Sequence, residues 1–244
     1  MSKKKFLGGK DSNAYIVFYS TVMVVIVAVL LAFTSLTLKD KQDANVLDEK
    51  KNAIVASLGL EKGSYDSTIS AYVVNAQGEK LAIDENATLQ KLFDLPASYA
   101  AGEYPVFENT ATGEVVVPLT GKGLWDDIWG YVALGADMNT IKGAIFDHAG
   151  ETPGLGAEIA TAKFQAQFVG QTIYEGNQLV GIEVVKGGAQ GAPHSVDAVT
   201  GGTKTSEGLE NMIKDCIGYY DAFMKARTAA ATATEDVVLT ENAE

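Results

Sequence analysis

Tyr15 to Leu38 forms an unbroken run of 24 residues without a charge. A helix of that length rises about 36 Å at ~1.5 Å per residue, more than the ~30 Å hydrocarbon core of a bilayer. The apolar core of a cleaved signal peptide is shorter, ~7–15 residues, and leads to a small-residue exit that this run lacks. The pattern therefore predicts an uncleaved transmembrane helix over 15–38. Further along, Leu47, Ile54, Val55 and Leu58 share one helical face within 43–60, so that stretch is expected to continue as a helix until Gly59 and Gly63.

Beyond residue 60 the periodicity changes. Short apolar runs bounded by turn residues predict strands at 69–74, 104–108, 114–119 and 178–185. Residues 128–134 and 140–147 flank Gly135-Ala-Asp-Met-Asn139 as a hairpin. A helix is expected over 156–169, with Ile159, Phe164 and Phe168 among its apolar positions. Residues 186–205 form a Gly/Thr-rich loop, and a long helix is expected from Ser206 to about Arg227. On that helix Leu209, Ile213, Cys216, Ile217, Tyr220 and Met224 make one buried stripe. The Ala/Thr/Glu-rich tail, 228–244, reads as disordered.

The fold class expected is α+β: one N-terminal transmembrane helix, then a soluble domain of antiparallel or mixed sheet with flanking helices. Its divisions are 1–14 before the span, 15–38 in it, 39–60 as a juxtamembrane helix, 61–227 as the folded domain and 228–244 as the tail.

Charge places these parts. Lys3, Lys4, Lys5 and Lys10 precede the span, whereas Lys39 and Lys41 follow it among acids. The cation bias predicts a cytoplasmic N-terminus, and in a bacterium a periplasmic main domain. The span holds no ionisable group except tyrosine, so this helix alone is an anchor and not an ion path. The net charge of −12 leaves no general affinity for nucleic-acid phosphates. Residues 1–14 carry +3 and the span none, so the remainder carries −15. One cysteine gives neither an intramolecular disulfide nor a CxxC pair, and Cys216 lies on the buried stripe. The two histidines, His148 and His194, are far apart with no third ligand in the pattern, so no metal site is expected.

Two Gly-rich loops carry the candidate chemistry. His148-Ala-Gly-Glu-Thr-Pro-Gly-Leu-Gly156 and Asp197-Ala-Val-Thr-Gly-Gly-Thr-Lys-Thr-Ser206 each open a predicted helix. Glycines let a ligand approach the backbone, and free amides at a helix start attract phosphate. Taken alone, the same residues also read as two ordinary loop-and-cap segments, with Ser206 as N-cap. Neither loop matches G-x-G-x-x-G or G-x-x-x-x-G-K-[ST], so direct NADH or ATP binding has no motif here.

These segments resemble a known family. Gly121-Lys-Gly-Leu-Trp125, Trp129-Gly-Tyr131, Gly150-Glu-Thr-Pro-Gly-Leu-Gly156 and Asp197-x-x-Thr-Gly-Gly-Thr203 are similar to the C subunit (NqrC) of bacterial Na⁺-translocating NADH:quinone oxidoreductases. The last segment resembles a signal for covalent flavinylation, D-x-x-[ST]-G-A-[TS], with Gly202 where alanine is usual. The resemblance implies that Thr203 carries FMN through a phosphoester bond, installed by a flavin transferase that uses FAD and Mg²⁺. Asp197, Thr200, Gly201, Gly202, Thr205 and Ser206 would form the motif around it. Glu151, Thr152, Gly154 and Leu155 would form a second wall, with Trp125 completing it. Glu151 is the acid expected to matter, as a hydrogen-bonding group of the loop.

The implied role is an electron-carrier subunit of an oxidoreductase complex with partner subunits A, B, D, E and F and no NADH site in this chain. The related flavoprotein of the Rnf electron-transport complex, its G subunit, shares the Glu-Thr-Pro-Gly-Leu-Gly and flavinylation motifs and is the alternative. A periplasmic scaffold without redox chemistry is a third reading.

Overall fold

The computed structural model describes residues 12–241. Lys3, Lys4, Lys5 and Lys10, on which the orientation rests, and the end of the tail at 242–244 lie outside the described residues. The chain divides into two compact units, one ending at Asp48 and the other beginning at Glu49.

The first unit is helical. Helix α1 runs Asn13–Ser57 without a break, so the expected span and the juxtamembrane helix are one element. Its N-terminal part is long and apolar enough to cross a membrane, and the large apolar side chains from Ile16 to Leu38 are exposed. The hydroxyls of Thr21, Thr34 and Thr37 donate to the carbonyls of Val17, Leu30 and Phe33 within the helix. Each of these polar side chains is thereby satisfied internally, as a lipid environment requires.

The second unit is built on a five-stranded antiparallel meander. After a helical turn α2 (Tyr65–Thr68), strand β1 (Ile69–Val74) leads to helices α3 (Glu85–Gln90) and α4 (Leu95–Ala100). Strands β2 (Tyr104–Asn109), β3 (Val115–Lys122), β4 (Asp127–Leu134) and β5 (Ile141–His148) follow, paired in sequence order. Val115 to Leu119 are all buried, which is the pattern of a strand covered on both faces. The end of α1 beyond Asp48 belongs to this second unit and lies close against β5: a Cβ on Gly143 would lie 2.2 Å from the Ser57 carbonyl oxygen. Helix α6 (Thr203–Gly218) packs on β3, where a Cβ on Gly208 would lie 2.2 Å from the Lys122 carbonyl oxygen. Glycine at 208 thus lets the first half of α6 rest directly on the end of β3.

Between β5 and α6 the chain makes a short helix α5 (Ala162–Gln165), a small hairpin β6 (Tyr174–Glu175) and β7 (Gln178–Leu179), and a parallel pair β8 (Glu183–Val185) and β9 (Ser195–Asp197). The C-terminal helix α7 (Asp221–Glu241) completes the unit.

Several details differ from the sequence pattern. The expected helix over 156–169 is broken into 3-10 turns around α5, because Thr161 caps α5 by accepting from the Phe164 amide. The strand expected over 178–185 is split at Gly181, which takes φ +71°. The long helix predicted from Ser206 begins earlier, at Thr203, and Ser206 is not its N-cap. The Ser206 side chain reaches back to accept from the Val199 amide. The same helix stops at Gly218 and resumes at Asp221; Tyr220 in the break is fully buried and its hydroxyl donates to the Pro105 carbonyl. The buried stripe nevertheless continues across the break through Met224. Residues 228–241, read as disordered, belong to α7. Their alanines favour helix strongly enough to override the low hydrophobicity. The helices α3 and α4 carry no strong apolar periodicity and were not expected. Asp84 and Asp94 start them by accepting from the amides of Ala87 and Ala97.

Candidate functional site

The two Gly-rich loops meet at the β3–β4 tip. An open cleft of about 260 Å³ is lined by Leu124, Trp125, Glu151, Thr152, Leu155, Gly156, Gly201, Gly202, Thr203, Lys204 and Thr205. Eight of the twelve expected site residues therefore line one cleft. Leu124, Gly156 and Lys204 line it too and were not singled out; each is the direct neighbour of a residue that was. Thr200, Gly154, Asp197 and Ser206 lie outside the lining.

Glu151 is the centre of the arrangement. It is 4% exposed. Its Oε2 accepts from the Thr205 hydroxyl at 2.6 Å and its Oε1 from the Trp125 amide at 2.9 Å. Burial pushes the carboxyl up. The bonds from Thr205 and from the amides of Trp125, Asp126 and Leu124 outweigh burial and hold it below the usual glutamate value. Glu151 is thus an ionised brace joining the β3–β4 tip, its own loop and the start of α6. Its backbone amide donates to His148 Nδ1 at 3.2 Å, which leaves the imidazole proton on Nε2. His148 therefore supports the loop at its start.

The packing around this carboxylate is tight. A Cβ on Gly156 would sit 2.3 Å from Glu151 Oε2 and 2.4 Å from the Thr205 hydroxyl oxygen. Gly201 takes φ +77°, a conformation that L side chains rarely adopt, and any Cβ there would meet Leu155 at 2.6 Å. A Cβ on Gly202 would lie 2.9 Å from Val199 Cγ1. The β-branched Val199 thus occupies the room that an alanine methyl at 202 would need.

The hydroxyls of the 203–206 segment divide sharply. Thr205 and Ser206 are buried, and both are engaged, with Glu151 and with Val199. Thr203 is half-buried at the first position of α6, on the cleft wall, and its hydroxyl has no partner among the described residues. Gly202, as N-cap, supplies no side chain to the first amides of α6. A helix start leaves those amides without intrahelical acceptors and favours an anion beside them. Lys204 is exposed and paired to Glu207 at 2.6 Å.

Asp197 acts outside the cleft. Its Oδ1 accepts from the Ala189 amide at 2.6 Å, and its own amide donates to Gln167 Oε1 at 2.9 Å. It braces the Gly-rich 186–194 loop. Trp125 is 71% exposed, and Leu124 and Leu155 are exposed as well. These three apolar side chains form an open rim that suits the face of a planar ring. Trp129 lies elsewhere, in a different cavity.

Comparison with known proteins gives a consistent result. Residues 123–218, which hold every residue of the cleft, match the model of the FMN-binding domain family. The chain is 34% identical to the C subunit of the Na⁺-translocating NADH-quinone reductase of Pasteurella multocida, over 78% of this chain and 84% of that one. It is 30% identical to the protein of the same name in Pseudomonas aeruginosa, over 89% of this chain and 97% of that one. The crystal structure of the same subunit from Parabacteroides distasonis superposes with a TM-score of 0.70 at 34% identity, covering 77% of this chain and 96% of that one.

Proposed function

Because the chain belongs to the NqrC family, the C subunits of Na⁺-translocating NADH-quinone reductases, we propose that it is the covalent flavin carrier of that oxidoreductase complex. In this reading FMN is attached to Thr203 Oγ1 by a phosphoester bond and relays electrons towards quinone. The main domain faces the periplasm and the N-terminus the cytoplasm, with subunits A, B, D, E and F as partners. A flavin transferase would join FMN from FAD to the Thr203 oxygen, releasing AMP and the hydroxyl proton.

The observation that carries the reading is the Thr203 hydroxyl on the cleft wall, which is unbonded among the described residues, near two hydroxyls that are already engaged. An acceptor must be accessible and unbonded, and within 203–206 Thr203 alone is so. The residues present fit the group. The first amides of α6 lie beside the position of a phosphoryl group on Thr203 and would stabilise its negative charge by ~0.3–1 kcal/mol. Leu124, Trp125 and Leu155 give the ring an apolar face. Glu151 does not act as an acid or base: it is ionised, bonded through both oxygens and holds the two walls together. The cleft is open, so a covalent tether replaces the enclosure that a dissociable flavin needs. Bound flavin would supply the redox chemistry, while this chain supplies position and electrostatics. An open rim also leaves the ring within reach of partner subunits.

Co-expression of the full chain with a flavin transferase tests this directly. The purified protein should show flavin fluorescence that survives denaturing electrophoresis. A non-fluorescent band from protein made with active transferase would contradict the reading.

A further inference from the structure

A second cavity, of about 360 Å³, shares no lining residue with the flavin cleft. It lies within the second unit and is lined by Lys50 of α1, the segment from Leu92 to Pro96 and strands β3 and β4. Its lining includes Lys50, Phe93, Thr120, Trp129 and Tyr131. The walls are rich in aromatic rings, and two of its polar groups are donors without hydrogen-bond acceptors among the described residues. The Lys50 ammonium stands 5.8 Å from the centre of the Phe93 ring. It makes no ion pair or hydrogen bond among the described residues, whereas the adjacent Lys51 is paired with Asp66 at 2.7 Å.

Tyr131 is 4% exposed, and its hydroxyl makes no hydrogen bond among the described residues. Burial, helped by Glu49, raises the phenol well above its usual value, so it remains a neutral donor. The carboxylates on the cavity wall are already used. Asp94 caps α4 and Asp127 is paired with Lys122. Phe93 is 40% exposed, a large apolar side chain with an uncovered face. The Lys50 ammonium, held in partly buried surroundings, is drawn below the usual lysine value, with Glu49 opposing that shift. Such a group gains most from an anion that enters with it.

We propose that this cavity binds a planar aromatic carboxylate, its carboxylate accepting from Lys50 and Tyr131 and its ring packing between Phe93 and Trp129. The chemistry disfavours other classes. A cation would meet Lys50, and a phosphate ester without a ring would leave Phe93 and Trp129 uncovered. The site is independent of the flavin assignment, because none of its residues lines the flavin cleft.

The test uses 2-naphthoate as probe and the full chain in detergent micelles. Trp125→Phe leaves Trp129 as the sole indole, so quenching of its emission reports this cavity. Expected is saturable quenching, weakened about tenfold by Lys50→Gln and severalfold by Tyr131→Phe, as for loss of a charge-assisted bond. Lys50→Arg should retain binding, and naphthalene-2-carboxamide, the neutral isostere, should bind at least about tenfold more weakly. Equal melting temperatures for the variants and their parent would establish that the fold is kept. Should Lys50→Gln unfold, Tyr131→Phe and the carboxamide carry the test. Non-saturating quenching, equal affinity in Lys50→Gln and Tyr131→Phe to that of the parent, or equal affinity for the carboxamide would overturn the proposal.

Discussion

The hydroxyl of Thr205 donates to the Glu151 carboxylate at 2.6 Å, joining positions 54 residues apart in the chain. Both partners are buried, at 1% and 4% exposure. The bond closes the Gly-rich loop after β5 onto the first turn of α6. Thr203, two residues before Thr205, is thereby fixed at the cleft edge and not left on a free loop.

Removing the carboxylate should loosen both walls. Glu151→Ala strands the Thr205 hydroxyl and the Trp125 amide without acceptors, and is expected to cost on the order of 3 kcal/mol. Chemical denaturation of the full chain measures it. Glu151→Gln keeps one acceptor oxygen and should lose less. A loss within experimental error for Glu151→Ala would remove the brace from the account.

The same carboxylate gives a pH dependence of defined sign. Its folded-state value lies below the ordinary glutamate value, so the unfolded chain binds the proton more readily. The stabilisation is fully present above the ordinary value and is lost as pH falls through the folded one. Melting temperature against pH should therefore drop on the acid side more steeply for the parent than for Glu151→Gln. Parallel curves would show that the brace is not ionised.

Gly202 and Val199 form a matched pair. Gly202→Ala should be destabilising by about 1–3 kcal/mol, because its methyl meets Val199 Cγ1. Val199→Ala in the same chain should restore part of the loss. Thermal denaturation of the single and double variants gives the coupling. Strict additivity would mean that the two side chains do not compete for the space.

Cys216 should be inert in the folded protein. Burial pushes its thiol up to about 11, despite a lowering contribution from the Thr120 backbone, and the nearby Asp215 adds to the rise. The thiol donates to the Thr120 carbonyl at 3.3 Å. At about pH 8, near the ordinary thiol value, a thiol-specific reagent should label it only after denaturant is added. Rapid labelling of the native chain would contradict the packing of α6 on β3.

Much of this was legible in the sequence, for physical reasons that vary by element. Strand β3 announces itself because both its faces are buried from Val115 to Leu119. The stripe from Leu209 to Met224 was readable because its period survives the break at Tyr219 and Tyr220. The break itself was not, since a buried tyrosine looks the same in a helix and in a turn. The helices α3 and α4 were missed because aspartate caps start them without an apolar face long enough to show a period. At the site, motif resemblance selected the two loops, but it did not distinguish Thr203 from its neighbours by their bonding. The roles of Thr205, Ser206 and Asp197 as braces depend on contacts between separate segments, which no local pattern encodes.

In the proposed function Thr203 and no neighbouring hydroxyl holds the flavin. Intact-mass analysis of the full chain and of Thr203→Ala, each co-expressed with the same flavin transferase, measures it most directly. The parent should gain the mass of one FMN less one water and Thr203→Ala should gain none, with the variant's melting temperature near the parent's. Flavin retained on Thr203→Ala would contradict it and move the attachment to another residue.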